Sequence, residues 1–160
     1  MIKLLAILAL LGVAGMMLYI RLAPADPGDW HVDPRTAARP ASPNSWLIRS
    51  VGGDAPAPDF ALGPAELAEI VDSVILAQPR TRPLAGSVDD GHITYVTRTP
   101  LMGYPDYVSV RVYPTATGAS LAVFSRSRFG HSDLGVNRKR LEEWMAAIEA
   151  AVRDREAENG

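Results

Sequence analysis

The chain contains no cysteine, which excludes disulfides, thiolate nucleophiles, zinc–thiolate sites and iron–sulfur clusters and leaves the redox compartment open. Histidine is nearly as scarce. His31, His92 and His131 are scattered along the sequence, and no spacing joins them to carboxylates in a metal-ligand pattern, so no metal is expected. There is also no excess of one charge: 16 basic and 18 acidic residues leave a formal net charge of −2. A global basic field that would concentrate nucleic acid is thereby absent, and no nucleic-acid partner is expected.

Recognisable reaction centres are missing as well. The sequence has no G-x-S-x-G elbow, no G-x-x-x-x-G-K-[ST] loop, no H-E-x-x-H pair and no G-x-G-x-x-G turn. His131-Ser132-Asp133 holds the three residue types of a hydrolase triad, but consecutive side chains do not reach the nucleophile–base–orienter geometry. Asp89-Asp90 reads as a turn and Glu142-Glu143 as the polar face of a helix. No catalytic residue and no cofactor is nominated, and the chain reads as a non-enzyme.

What is present begins with one long apolar run. Leu4 to Ile20 is uncharged and, with Ile2, Leu22 and Ala23, reaches bilayer length if Lys3 and Arg21 snorkel. The run exceeds the apolar stretch of a cleaved signal peptide, and its one A-x-A match, Ala23-Pro24-Ala25, carries proline at the centre. A signal anchor over residues 1–23 is the preferred reading, against a removed signal peptide or a buried helix of a soluble protein. A short tail bearing Lys3 ahead of the span resembles the start of an export signal, whereas Arg21, Arg35 and Arg39 lie on the other side. The expectation is an inner-membrane, single-pass protein with its body on the periplasmic face.

Seven of the 13 prolines fall between Pro24 and Pro58 without apolar periodicity, which predicts a linker over residues 24–58 acting as a semi-rigid spacer. Trp46-Leu47-Ile48 within it could dock as a short edge strand. An α+β domain is expected over 59–155, followed by a polar tail at 156–160. It opens with a helix at Pro64 whose Leu67, Ile70, Val71, Val74 and Ile75 form one apolar stripe. Strand-like runs follow at 92–99, 106–113 and 119–127, the middle one alternating Val108, Val110 and Val112 with Ser109, Arg111 and Tyr113. A closing helix places Leu141, Trp144, Met145, Ile148 and Val152 on one face. The order α-β-β-β-α predicts a small antiparallel sheet of three to four strands, packed by two helices on one face and partly open on the other.

The segment before the closing helix is the least generic. From Arg126 to Arg140 five cations accompany one anion, and from Leu141 to Gly160 six acids accompany two arginines. Arg126, Arg128, Arg138 and Arg140, with Ser132, Asp133 and Asn137 at a helix start, are candidates for binding an anion or a partner. The alternative is structural: Ser132 or Asp133 caps the helix, Gly130 and Gly135 supply turns, and the arginines pair with Asp133, Glu142 and Glu143.

The run SRSRFGHSDLGVNRKRLEEW, with Gly103 to Val108 and the entry Ser42-Pro43-Asn44, resembles the bacterial and plastid family known as domain of unknown function 1499. The resemblance spans roughly Ser42 to Ile148 and rests on the serine–arginine strand and the SD-x-GVNRKR helix start. Where many relatives carry a cysteine after the Pro-Asn entry, this chain has Ser45-Trp46. Because that family has no established activity, the resemblance implies domain boundaries and supplies no catalytic residue. Two functions remain in view. One is an anchored accessory module that presents its body to a membrane-protein partner; the other is a binder of anionic small molecules or lipid headgroups at 126–140.

Overall fold

The structure is a computed structural model that describes residues 1–159. Helix α1, Ile2–Leu22, is exposed along most of its length. Its 21 residues make it long and apolar enough to cross a membrane. A single turn, α2 (Pro27–Trp30), follows, started by Asp26, whose carboxylate accepts from the Gly28 N–H at 2.8 Å.

The body is α+β. Its strands are β1 (Ser45–Ile48), β2 (Asp59–Phe60), β3 (Thr81–Ser87), β4 (His92–Arg98), β5 (Pro105–Pro114) and β6 (Ala119–Ser127), with α3 (Pro64–Leu76) before β3 and α4 (Val136–Asn159) after β6. They form one antiparallel sheet in the order β1-β6-β5-β4-β3, and β2 joins the same edge of β6 as β1. The sheet thus has six strands rather than the three to four expected. The additional members were hidden for physical reasons. β3 contains Pro83 and Gly86 and a register shift between Pro83 and Ala85; an edge strand tolerates all three because its outer side has no ladder to complete. β2 is two residues long and sits among prolines.

The faces follow the alternation. Tyr95, Val108, Val110, Val112, Leu121 and Val123 point to one side, where Leu67, Ile70, Val71 and Ile75 of α3 and Leu141, Trp144, Ile148 and Val152 of α4 complete the core. Tyr95 carries its hydroxyl through this core to Asp72, donating at 2.7 Å, and its burial beside that carboxylate raises the phenol well above the usual range.

The opposite face was expected to be partly open, yet Thr94, Ser109, Phe124 and Leu47 are wholly buried on it. A strap from the proline-rich segment covers part of this face. Trp30 stacks on Tyr107 with ring centroids 3.9 Å apart, and its carbonyl accepts from the Ser109 hydroxyl at 3.0 Å. His31 bonds Thr94 through Nδ1 at 2.9 Å and stacks on His92 at 3.8 Å, while His92 reaches the Val32 carbonyl at 3.1 Å. Gly86 permits this approach: with φ of +83°, a Cβ there would lie 1.9 Å from the His92 carbonyl and 2.8 Å from the His31 ring. These contacts, rather than the prolines themselves, hold the segment on the sheet.

Two outcomes test the strap. Trp30→Ala should destabilise the body by about 2–3 kcal/mol, less than a fully buried tryptophan would cost; urea unfolding of the detergent-solubilised chain measures it, and an unchanged midpoint would mean the strap contributes nothing. The second is a pH dependence. Burial, then the neighbouring His92 ring, lower the pKa of His31. The undocked chain therefore binds the proton more readily, so docking is fully stable above about pH 6.5 and weakens as the pH falls from there through the lowered pKa. Ring NMR titration should find His31 titrating below 6.5; a value at or above it would contradict the docked geometry.

Candidate functional site

The segment singled out by sequence folds into a buried polar node. Asp133 caps α4: its carboxylate accepts from the backbone N–H of Asn137 at 2.7 Å and of Gly135 at 3.1 Å. Ser132 accepts from the Leu134 N–H at 3.3 Å, and Gly130 and Gly135 adopt φ of 86° and 81°. Asn137 is wholly buried. Its amide nitrogen faces three acceptors, the Asn44 carbonyl at 2.9 Å, the Ser127 hydroxyl at 2.9 Å and the Asp133 carboxylate at 2.7 Å. Its carbonyl accepts from the Ser125 hydroxyl at 2.5 Å and from Arg140 at 2.8 Å. Asn44 in turn donates to the Gly130 carbonyl at 2.7 Å.

Arg140 extends this node into an ion pair. One guanidinium nitrogen meets Ser125 and Asn137, and the other meets Asp106 at 2.6 Å. With side chains only 13% and 4% exposed, this pair is almost dry and is held by the surrounding hydrogen bonds.

The remaining candidates diverge. Arg138 pairs with Glu142 at 2.7 Å on the solvent face of α4 and lies 5.0 Å over the Trp46 ring; the Glu142 hydrogen bond raises its pKa. Arg128 donates to the Pro24 carbonyl and lies 5.4 Å from the Phe129 ring. Arg126 projects to the other face of the sheet, beneath the strap. There it donates to the Trp30 carbonyl at 2.7 Å and Ser109 at 3.2 Å, between the Phe124 and Trp30 rings at 4.7 and 5.2 Å. No carboxylate pairs with it among the described residues, its Nε has no partner, and burial lowers its pKa to about 10. Ser132, Asp133, Asn137 and Arg140 therefore share one neighbourhood, from which Arg126 and Arg138 point away on different faces.

Sequence reasoning missed Asp106, Ser125, Ser127 and Asn44 as members of the node. The signal that could have found them was their presence in the same stretches that carried the family resemblance. It also missed two clefts beside the end of α1. One, of about 510 Å³, runs between Met16, Tyr19 and Ile20 and the loop holding Phe129 and Leu134, with Val136 at the start of α4. The other, of about 530 Å³, adjoins the helix exit at Arg21 and is lined by four arginines.

Nothing in this geometry points to catalysis. Ser125 is fully buried and bonded to an amide and a guanidinium, neither of which is a base at neutral pH. Among the described residues no three histidines, aspartates or glutamates come together as a metal site.

The family model described as protein of unknown function (DUF1499) matches residues 35–148. That is most of the chain, and the chain belongs to this family. No curated protein matches it significantly.

The node predicts a large effect from a small change. Asn137→Ala should cost about 3–4 kcal/mol, since it strands Ser125, Ser127 and the Asn44 carbonyl without water to replace the amide. Asp106→Asn should cost about 3 kcal/mol by leaving Arg140 unpaired. Because both act through one network, the double variant should lose clearly less than the sum; strict additivity in denaturation measurements would show the two to be independent.

Proposed function

We propose that this chain is a membrane-anchored, non-enzymatic module that holds its α+β body on the membrane surface and acts by contact with a membrane-protein partner, on the periplasmic face of the inner membrane. The observation that carries this reading is the union of the body with the last turn of α1. Arg98 donates to the Ile20 carbonyl at 3.4 Å and to the Gly103 carbonyl at 2.8 Å; Arg21 donates to the Leu101 carbonyl at 2.9 Å. Arg128 reaches the Pro24 carbonyl, and Tyr19 meets Phe129 edge-on at 6.4 Å. Gly103 allows this closeness, since at φ of +74° an added Cβ would stand 2.9 Å from the Arg21 side chain. A body fastened in this way is aligned with the helix that carries it.

The first cleft supports the choice of partner. Its helix wall reaches up to Met16, six residues above Leu22 and so roughly 9 Å into the span. Leu134, which lines the same cleft, is 94% exposed, an apolar side chain open to contact with lipid or another protein. The short tail with Lys3 supports the orientation.

Two measurements test the reading. The full-length chain should stay in the pellet on alkaline extraction, and a C-terminal tag should be cut by protease in spheroplasts and protected in inverted vesicles; the opposite pattern would overturn the placement. A photo-crosslinker at Leu134 should yield a discrete membrane-protein adduct, whereas one at Val51, also exposed but outside the cleft's lining, should not. Equal or absent adducts would overturn the contact surface.

A further inference from the structure

We infer that the second cleft is a phosphate-recognising site for an anionic phospholipid headgroup, formed jointly by the end of α1 and the body. Arg21, Arg80, Arg82 and Arg98 line it together with Thr81 and Thr99, and no carboxylate lines it. None of the four arginines has a salt bridge among the described residues. Four like charges gathered around one hollow repel one another, and an anion in the hollow removes that cost.

The arginines are also oriented. Arg21 is fixed by the Leu101 carbonyl, Arg98 by Gly103 and Ile20, and Arg80 by the Arg98 carbonyl at 3.1 Å. Each of these bonds uses only part of a guanidinium fork, and Arg82 donates no hydrogen bond among the described residues, so donors remain for phosphate oxygens. Arg80 holds a left-handed φ of 57°, a conformation that costs a residue with a side chain something to adopt.

Position selects the lipid. Arg21 belongs to the last turn of α1, which sets the cleft at headgroup depth if α1 spans the bilayer; the inference rests on the anchoring proposed above. Leu101, 76% exposed in the turn that flanks the cleft, adds an apolar lip suited to the glycerol and acyl region. Free phosphate shares the charge of a headgroup but gains nothing from that lip.

Native mass spectrometry of the full-length chain in nonionic detergent, with phosphatidylglycerol, phosphatidylcholine or inorganic phosphate added, tests the site. One phosphatidylglycerol should be retained in preference to phosphatidylcholine. The double variant Arg80→Gln with Arg82→Gln, both on exposed side chains, should weaken retention about tenfold or more, while Arg153→Gln, exposed on α4, should not. Equal retention of the two lipids, or retention unchanged in the double variant, would overturn the site. Inorganic phosphate displacing the lipid at equal concentration would identify a free-phosphate site instead and overturn the lipid assignment. Alkaline extraction separates this from the anchoring: a chain that extracts overturns the span, whereas one that stays in the pellet without anionic preference overturns the cleft alone.

Discussion

The buried Asn137 side chain ties together segments that are far apart in sequence. Its amide spans the entry loop at Asn44, β6 at Ser125 and Ser127, and the start of α4. An amide can do this where a charged or apolar group could not, because it offers donors and acceptors on one rigid plane without the desolvation cost of an ion. Once it is satisfied, Arg140 is aimed, and Arg140 carries Asp106 at the start of β5. Asp106 also lines the apolar cleft beside α1. The position of one wall of that cleft therefore depends on a hydrogen-bond network rather than on hydrophobic packing.

Arg126 presents the opposite solution to burying a cation. Arg140 has a carboxylate; Arg126 has a carbonyl, a hydroxyl and two aromatic rings. Such an environment stabilises a guanidinium less than an ion pair does, which is why its pKa is lowered to about 10 by desolvation. Most of that compensation comes from the strap: without Trp30 the cation would keep Phe124 and Ser109 and would face water. The strap is thus coupled electrostatically to the sheet as well as packed on it, and the lowered pKa of His31 makes its docking responsive to protonation.

The elements legible in the sequence were those whose periodicity reports burial on one side. The α3 and α4 stripes and the Val108–Val110–Val112 face behave as their spacing predicts, and the α+β class follows from them. Trp46–Ile48 docks as an edge strand, as its apolar run allows. β2 and β3 escaped because edge strands containing proline or glycine carry no alternation to read. The strap escaped for a different reason: proline restricts φ but does not say whether an extended segment stands in water or lies on a surface. At the site, the helix cap at Asp133 and the Arg138–Glu142 pair follow from local spacing. The Arg140–Asp106 pair is 34 residues long in sequence, and nothing local distinguishes Asp106 from a solvated carboxylate.

The two clefts at the end of α1 were illegible because each is shared between a helix and a body separated in sequence by dozens of residues. Arg21 is unremarkable at the end of an apolar helix, and Arg80, Arg82 and Arg98 read individually as solvated residues; only the fold gathers them. This gathering needs the short distance between α1 and the 99–103 turn that Gly103 permits. A long free tether would have dispersed the same charges over the reach of a flexible chain. Because Trp30 to Val32 lie on the sheet and Arg21 and Arg98 bond across the helix exit, both clefts form where the end of α1 meets the body. If α1 spans a bilayer, this arrangement sets the apolar lining beside Met16 at acyl depth and the arginines beside Arg21 at headgroup depth, a division of chemistry by depth that suits a membrane surface.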